Sequence, residues 1–197
     1  MTLDRDSQLI STLKTGGVAI IPTDTIYGLV GLADNQSTVD NIYKIKGRNP
    51  TKPNIILIAN LNQLKLFDVS LDEITTKLLQ TVWPGEVSVI LPCSNPNLSY
   101  LHRETNTLAF RLPARSDLQQ LIAQVGPLVA PSANPEGQPP ATTIDQAKSY
   151  FSDQVNYYFP ANEVLIGEPS TLVAIDNGQF MIKRQGRVII SNVEQAK

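Results

Sequence analysis

The sequence is sparing with the residues that carry the commonest enzyme chemistries. One cysteine, Cys93, and one histidine, His102, occur among 197 residues. That leaves no ligand set for a zinc centre of the usual His/Cys kind and no internal disulfide. No serine stands in a nucleophile-elbow sequence, so a Ser/His hydrolase is not indicated. Both common glycine-rich phosphate frameworks, Gly-x-x-x-x-Gly-Lys-Ser/Thr and Gly-x-Gly-x-x-Gly, are missing, so any nucleotide is held by another device. Apolar runs stop at strand length, as in Val18 to Ile21, well short of the roughly 20 residues that span a bilayer. The start Thr2-Leu3-Asp4-Arg5-Asp6 lacks the apolar core of a secretory signal, and no acylation motif is present, so reducing cytoplasm and no membrane attachment are expected. Charge of one sign is lacking too. Sixteen Lys and Arg against 18 Asp and Glu leave a net charge of −2, which implies no general attraction to nucleic acid through counterion release.

What is present is an ordinary globular composition, 42% hydrophobic and 17% charged, enough for one domain over residues 1–197 with its own core. Strand-like and helix-like segments alternate without repeats or linkers, the pattern of an α/β sheet. Gly17 to Ile21 reads as a buried strand stopped by Pro22, and its exit carries Thr23-Asp24-Thr25-Ile26-Tyr27-Gly28. A helix is predicted over Thr38 to Lys46, capped by Ser37 and closed by Gly47, with Lys46 on the inward face seven residues after Val39. Asn54 to Ile58 reads as a strand. Ser70-Leu71-Asp72-Glu73 reads as a capping box opening a helix to about Val82. Strands follow over Val87 to Leu91 and Thr107 to Leu112, the latter turning Thr107, Ala109 and Arg111 to one side. Pro92 to Asn106 reads as a loop holding His102 at the surface. Ser116 to Val125 and Thr143 to about Phe151 read as helices, and Pro127 to Pro131 as a strand ending at Ser132. Asn177-Gly178 between Thr171–Asp176 and Gln179–Arg184 is a strong hairpin signal. A regular two-residue turn pairs position 184 with 171, setting Arg184 beside the Ser170-Thr171 entrance, with Ser170 on the other face unless a bulge intervenes.

Two constellations could carry chemistry. Lys46-Gly47-Arg48-Asn49-Pro50-Thr51-Lys52-Pro53 sets three cations within seven residues, before a strand. Arginine offers a planar fork to phosphate and lysine a compact charge, so this segment suits a nucleotide phosphate. It equally suits cations complementing the negative end of a helix. Pro131-Ser132-Ala133-Asn134-Pro135 follows a strand end, where open α/β sheets tend to bind ligands; Ser, Asn and Pro are also ordinary turn formers. Thr23-Asp24-Thr25 has the same ambiguity. Cys93 and Trp83 read as packing residues.

Order and spacing join these pieces. Pro22-Thr23-Asp24-Thr25-Ile26-Tyr27-Gly28-Leu29, Lys46-Gly47-Arg48, Trp83-Pro84-Gly85, Arg111-Leu112-Pro113 and Ser132-Ala133-Asn134 occur as one series. The chain resembles the YrdC family from about residue 16 to 187. The resemblance implies a single-domain YrdC-like fold, a twisted mixed β-sheet flanked by helices with a concave ligand cleft. It also implies the activity of a short-form threonylcarbamoyl-AMP synthase, a nucleotidyltransferase condensing L-threonine, bicarbonate or CO2, and ATP with Mg2+ into L-threonylcarbamoyl-AMP and pyrophosphate. The product would then serve a downstream threonylcarbamoyl transferase complex acting on tRNA, and a direct tRNA contact is compatible with the family. Carried over by position, Lys46 and Arg48 are the implied catalytic residues. Arg48, Lys52, Thr107, Ser132, Asn134 and Arg184 are the implied nucleotide contacts. Thr25, Arg111 and Ser170 are the implied threonine contacts, and no protein metal ligand is implied. The pattern departs from the family at Glu86, Asn49, Glu136 and Pro140, the last removing a hydroxyl. A competing reading is a non-catalytic RNA-binding module gripping backbone phosphates with Lys46, Arg48 and Lys52, against which stand the net acidic balance and the absence of a basic, aromatic-interleaved stretch.

Overall fold

A computed structural model of the chain describes residues 2–165 and 167–190. Within them a mixed nine-stranded sheet runs in the order β7-β1-β2-β6-β3-β5-β4-β8-β9. The strands are β1 (Ala19–Pro22), β2 (Tyr27–Leu32), β3 (Ile55–Leu57), β4 (Val87–Pro92), β5 (Thr107–Arg111), β6 (Leu128–Val129), β7 (Tyr157–Tyr158), β8 (Thr171–Asp176) and β9 (Gln179–Arg184). The helices are α1 (Ser7–Lys14), α2 (Gln36–Lys46), α3 (Glu73–Val82), α4 (Ser99–His102), α5 (Ser116–Val125) and α6 (Ile144–Phe151). Parallel pairing of β3 with β5 and of β4 with β8 sits among antiparallel neighbours, so the α/β class is as the alternation of segments implied and the mixed sheet as the resemblance implied.

Several elements differ from the sequence reading. The segment after Pro22 is no simple exit loop: β2 returns antiparallel to β1, pairing Pro22 with Tyr27. Helix α2 starts two residues before Thr38. Its cap is Asn35 rather than Ser37, with Asn35 Oδ1 accepting from Thr38 N at 3.1 Å. Asp72, not Ser70, caps α3, its Oδ1 accepting from Thr75 N at 2.6 Å. In both cases the side chain standing three residues before the orphaned N–H takes the role. Thr143 does cap α6, as expected, with Oγ1 accepting from Gln146 N at 3.2 Å. The stretch from Pro92 to Asn106 contains α4, which buries His102 instead of exposing it.

One face of the central strands fully buries Ile20, Leu29, Ile56, Phe110 and Val129, and the other fully buries Ile21, Val30, Leu57 and Leu128. Helix α2 lies close against β2 because Gly31 has no side chain: a Cβ there would meet Thr38 Cγ2 at 2.4 Å. That close approach fixes α2, and its last residue is Lys46. Gly47 closes the helix in the left-handed conformation at φ 59°, the ordinary use of glycine at a helix C-terminus.

Candidate active site

A cleft of about 260 Å³ opens across the sheet. Its floor is made of small or flat surfaces on adjacent strands. Ile55 neighbours Ala109 across β3 and β5, Ala130 N donates to Ile55 O at 2.9 Å, and Gly28 bridges to Ser132. All five residues line the cleft. Bulky side chains at Ala109 or Ala130 would fill it, so the small residues in the middle of otherwise apolar strands are what keeps the space open.

The turn between β1 and β2 builds one end. Thr23 Oγ1 donates to Ile26 O at 2.6 Å and accepts from Thr25 N at 3.2 Å, which folds the turn back on itself. Arg111, at the end of β5, reaches it from the far side of the cleft floor. Its Nη1 donates to Thr25 Oγ1 at 3.1 Å, and its Nη2 stands 3.1 Å from Asp24 Oδ1. Asp24 is itself fixed by Ala114 N, which donates to Oδ2 at 3.1 Å. The Arg111 guanidinium is 4% exposed and its Nε has no partner. Burial pushes its pKa down, while Asp24 and Glu86 oppose that shift. The result is a partly satisfied fork facing a cavity, suited to a carboxylate.

The basic loop after α2 builds the second part. Arg48 lines the cleft and is held by two carbonyls of its own loop: Nε donates to Lys52 O at 3.2 Å and Nη2 to Pro53 O at 3.1 Å. Lys46 lies on the inward face, as its spacing from Val39 predicted, and is 2% exposed. Its Nζ, however, points at protein oxygens. It donates to Ser132 O and Asn134 O, each at 2.5 Å, and lies 3.4 Å from Asn134 Oδ1. Burial pulls the ammonium down to about 7, Arg48 adding to that and Glu136 opposing it. Three surrounding oxygens with no competing donor favour the charged form. Lys46 is therefore a positioning residue for the Ser132 turn. Asn134 plays the same part, its Nδ2 donating to Pro135 O at 2.9 Å and Gln138 O at 2.6 Å. Ser132 itself lines the cleft.

The hairpin of β8 and β9 closes the opposite side. Its turn is where Asn177-Gly178 predicted, and Asp176 pairs with Gln179. A bulge between Leu172 and Val173 then shifts the register, so Arg184 pairs with Leu172 rather than with Thr171. This bulge brings Ser170 and Arg184 to the same cavity. Arg184 Nη2 donates to Ser170 O at 2.8 Å, and the Ser170 and Ser88 hydroxyls are hydrogen-bonded at 2.8 Å. Burial lowers the Arg184 pKa, and the positive charges of Arg111 and Arg48 lower it further. Three guanidiniums thus share one cavity whose lining contains no aspartate or glutamate. Such a place takes anions.

Of the sequence-predicted residues, Thr25, Arg48, Arg111, Ser132, Ser170 and Arg184 meet in the cleft wall. Lys46 and Asn134 support it from behind. Lys52 points elsewhere: its Nζ pairs with Glu136 Oε1 at 2.8 Å on the surface. Thr107 starts the strand that Arg111 ends and is outside the cleft wall, its hydroxyl 3.2 Å from that of Thr105. Sequence reasoning missed Asn54, which lines the cleft; it belongs to no motif, and only its place beside the basic loop hinted at it. Pro140, read as a lost hydroxyl, stands in the wall as an apolar surface.

The Sua5/YciO/YrdC family model, described as telomere recombination, matches residues 11–186. The chain belongs to this family. Within it, the chain is 33% identical over 176 residues to the threonylcarbamoyl-AMP synthase of Pseudoalteromonas translucida, covering 86% of this chain and 92% of that one. It is 29% identical over 184 residues to the threonylcarbamoyl-AMP synthase of Pyrococcus abyssi, but spans 54% of that longer protein. The crystal structure of P. abyssi Sua5 complexed with L-threonine superimposes with a TM-score of 0.81 at 29% identity, covering 90% of this chain and 52% of that one. The structure of Escherichia coli YciO shares the fold with a TM-score of 0.80 at 20% identity, covering 93% and 88%.

Proposed function

We propose that this member of the Sua5/YciO/YrdC family is an L-threonylcarbamoyladenylate synthase, a nucleotidyltransferase that supplies an activated threonylcarbamoyl group for tRNA modification. The observation that carries the reading is the division of a single cleft. Arg111 and Thr25 are hydrogen-bonded at one end, an arrangement that suits a carboxylate, and Arg48 and Arg184 add positive charge to the same cleft, whose lining holds no carboxylate. One relative of nearly the same length is a threonylcarbamoyl-AMP synthase, and a structural relative was solved with L-threonine.

The chemistry follows from those charges. Threonine, held through its carboxylate by Arg111, offers its amine to CO2 or bicarbonate. The nitrogen–carbon bond forms, water or a proton leaves, and a carbamate results. A carbamate oxygen then attacks the α-phosphorus of ATP, and the bond to the β,γ-pyrophosphate breaks. Charge compensation and alignment dominate such a step, with no covalent nucleophile required. Arg48 and Arg184 stabilise the triphosphate and the departing pyrophosphate, and Lys46 holds the Ser132 turn in place. Among the described residues no group of three or more His, Cys, Asp and Glu could hold a metal ion. A Mg2+ ion accompanying the nucleotide would be held by the nucleotide's own phosphate oxygens and would add to the neutralisation that Arg48 and Arg184 supply.

The test is pyrophosphate release that requires threonine, bicarbonate and ATP together. Arg48→Ala is expected to lower kcat/KM by at least about a hundredfold, the scale of losing one preorganised electrostatic donor, while the variant still melts cooperatively. Unaltered release in the variant would remove Arg48 from this role. RNA retention without turnover in the unmodified chain would overturn the function.

A further inference from the structure

One wall residue has no task in the scheme above. Asn54 is 4% exposed, and neither Oδ1 nor Nδ2 has a hydrogen-bond partner. A buried amide left wholly unpaired is costly, and in a folded protein it calls for a reason. Its position supplies one. Asn54 immediately precedes β3, the strand lying between β6, which leads to Ser132, and β5, which carries Arg111. It also follows Pro53, whose carbonyl holds Arg48. Asn54 therefore lines the same cleft as Arg111 and Arg48, the cleft in which the two substrates have to meet.

We propose that Asn54 binds the one-carbon unit of the reaction, bicarbonate or the carbamate formed from it. This rests on the function proposed above. A primary amide presents an N–H donor and a C=O acceptor side by side. Bicarbonate presents an O–H and an oxygen acceptor on one edge, and a threonine carbamate presents an N–H and an oxygen in the same arrangement. Either forms a two-bond pair with Asn54. The carboxylate of threonine and the phosphates of ATP offer acceptors only, would leave Oδ1 unpaired, and are already served by guanidiniums. A neutral side chain here also leaves the anion's charge to the arginines of the same cleft. The adenine ring has a donor–acceptor edge as well, but it lies beyond the α-phosphate, away from the carbon that reacts.

Asn54→Leu and Asn54→Asp separate these readings in the full-length chain. The first deletes both polar atoms at similar size; the second keeps the acceptor, removes the donor and adds a like charge. Pyrophosphate release is followed against bicarbonate in CO2-depleted buffer, then against threonine and against ATP. Both variants are expected to raise the KM for bicarbonate by about tenfold or more, as losing a hydrogen bond to a charged group should, with the other two KM values nearly unchanged. An unmoved bicarbonate KM overturns the assignment, and so does a selective rise in the KM for ATP, which would mark an adenine contact. An equal rise in all three marks a structural amide. Asn54→Ala gives the same readout if Asn54→Leu does not fold. An unmodified chain without threonine-dependent release overturns the function and this assignment with it. An active chain whose variants keep the normal bicarbonate KM overturns the assignment alone.

Discussion

At the scale of single residues, Arg111 shows how much depends on geometry rather than charge. Its two terminal nitrogens are engaged by Thr25 and Asp24, its Nε has no partner, and the residue lines the cleft. Lysine keeps the positive charge but cannot hold the turn and a carboxylate at once. Arg111→Lys is therefore expected to raise the KM for threonine by about tenfold or more, on the scale of a lost charged hydrogen bond, with a smaller change in the KM for ATP; initial-rate measurements with each substrate varied check the split. Arg111 was readable in the sequence, because the period of a strand places it on one face with Ala109. Lys46 was half-readable. Its spacing from Val39 predicted burial, but nothing local could say that Ser132 and Asn134 carbonyls, 86 and 88 residues away, would surround it. Asn54 carried no signal beyond its place beside the basic loop, since an unpaired amide becomes visible only when its surroundings are known.

At the scale of elements, the two loops that flank the cleft are laced together. Glu136 N donates to Lys46 O at 2.8 Å, while the Glu136 carboxylate takes the Lys52 ammonium at 2.8 Å and accepts from Asn49 N. A carboxylate of the chain itself thus occupies a cation and a backbone N–H, both groups of the kind that bind phosphate. Glu136→Ala is expected to release Lys52 and lower the KM for ATP a few-fold, more clearly at low salt where exposed charges are less screened. Its melting temperature should barely move, because exposed ion pairs contribute little to stability. A higher KM for ATP would show instead that the lacing shapes the loop for its ligand. The sequence placed most helices and the hairpin turn correctly, because amphipathic periods and Asn-Gly are local signals. It missed β2 and β7. Tyr27 to Leu32 contains Gly28 and Gly31, which weaken any strand pattern, yet Gly31 is required there by the close approach of Thr38. The caps at Asn35 and Asp72 were displaced by two residues because several cap-forming side chains stood within reach.

At the scale of the whole molecule, the cleft is assembled from segments between Thr23 and Arg184, so its integrity depends on the sheet being complete to its edges. One edge is tied by a short polar contact. Tyr157 in β7 donates its hydroxyl to Asp6 Oδ2 at 2.6 Å, and Asp6 Oδ1 caps α1 by accepting from Leu9 N at 2.9 Å. Burial, with the bond to Asp6 and its negative charge adding to it, pushes the Tyr157 phenol from 10.0 up to about 12. Between those values the unfolded chain has lost the phenolic proton and the folded chain has kept it, so rising pH favours unfolding. Stability is expected to fall from pH 10 to about 12, and Tyr157→Phe should flatten that part of the profile in urea titrations. Among the described residues no helix is long and apolar enough to cross a membrane.

The bulge in the β8–β9 hairpin places a constraint on length rather than on composition. Lys183 is the residue that the register skips between Ile182 and Arg184. Its own side chain is exposed and free to vary, but its presence is not: deleting it would leave Arg184 opposite Leu172 in a regular ladder and remove the local bend and twist that the bulge gives the strand carrying that arginine. Related chains that keep a cleft of this shape should therefore tolerate many substitutions at position 183 and insertions in the turn, while conserving the number of residues from the turn to the arginine.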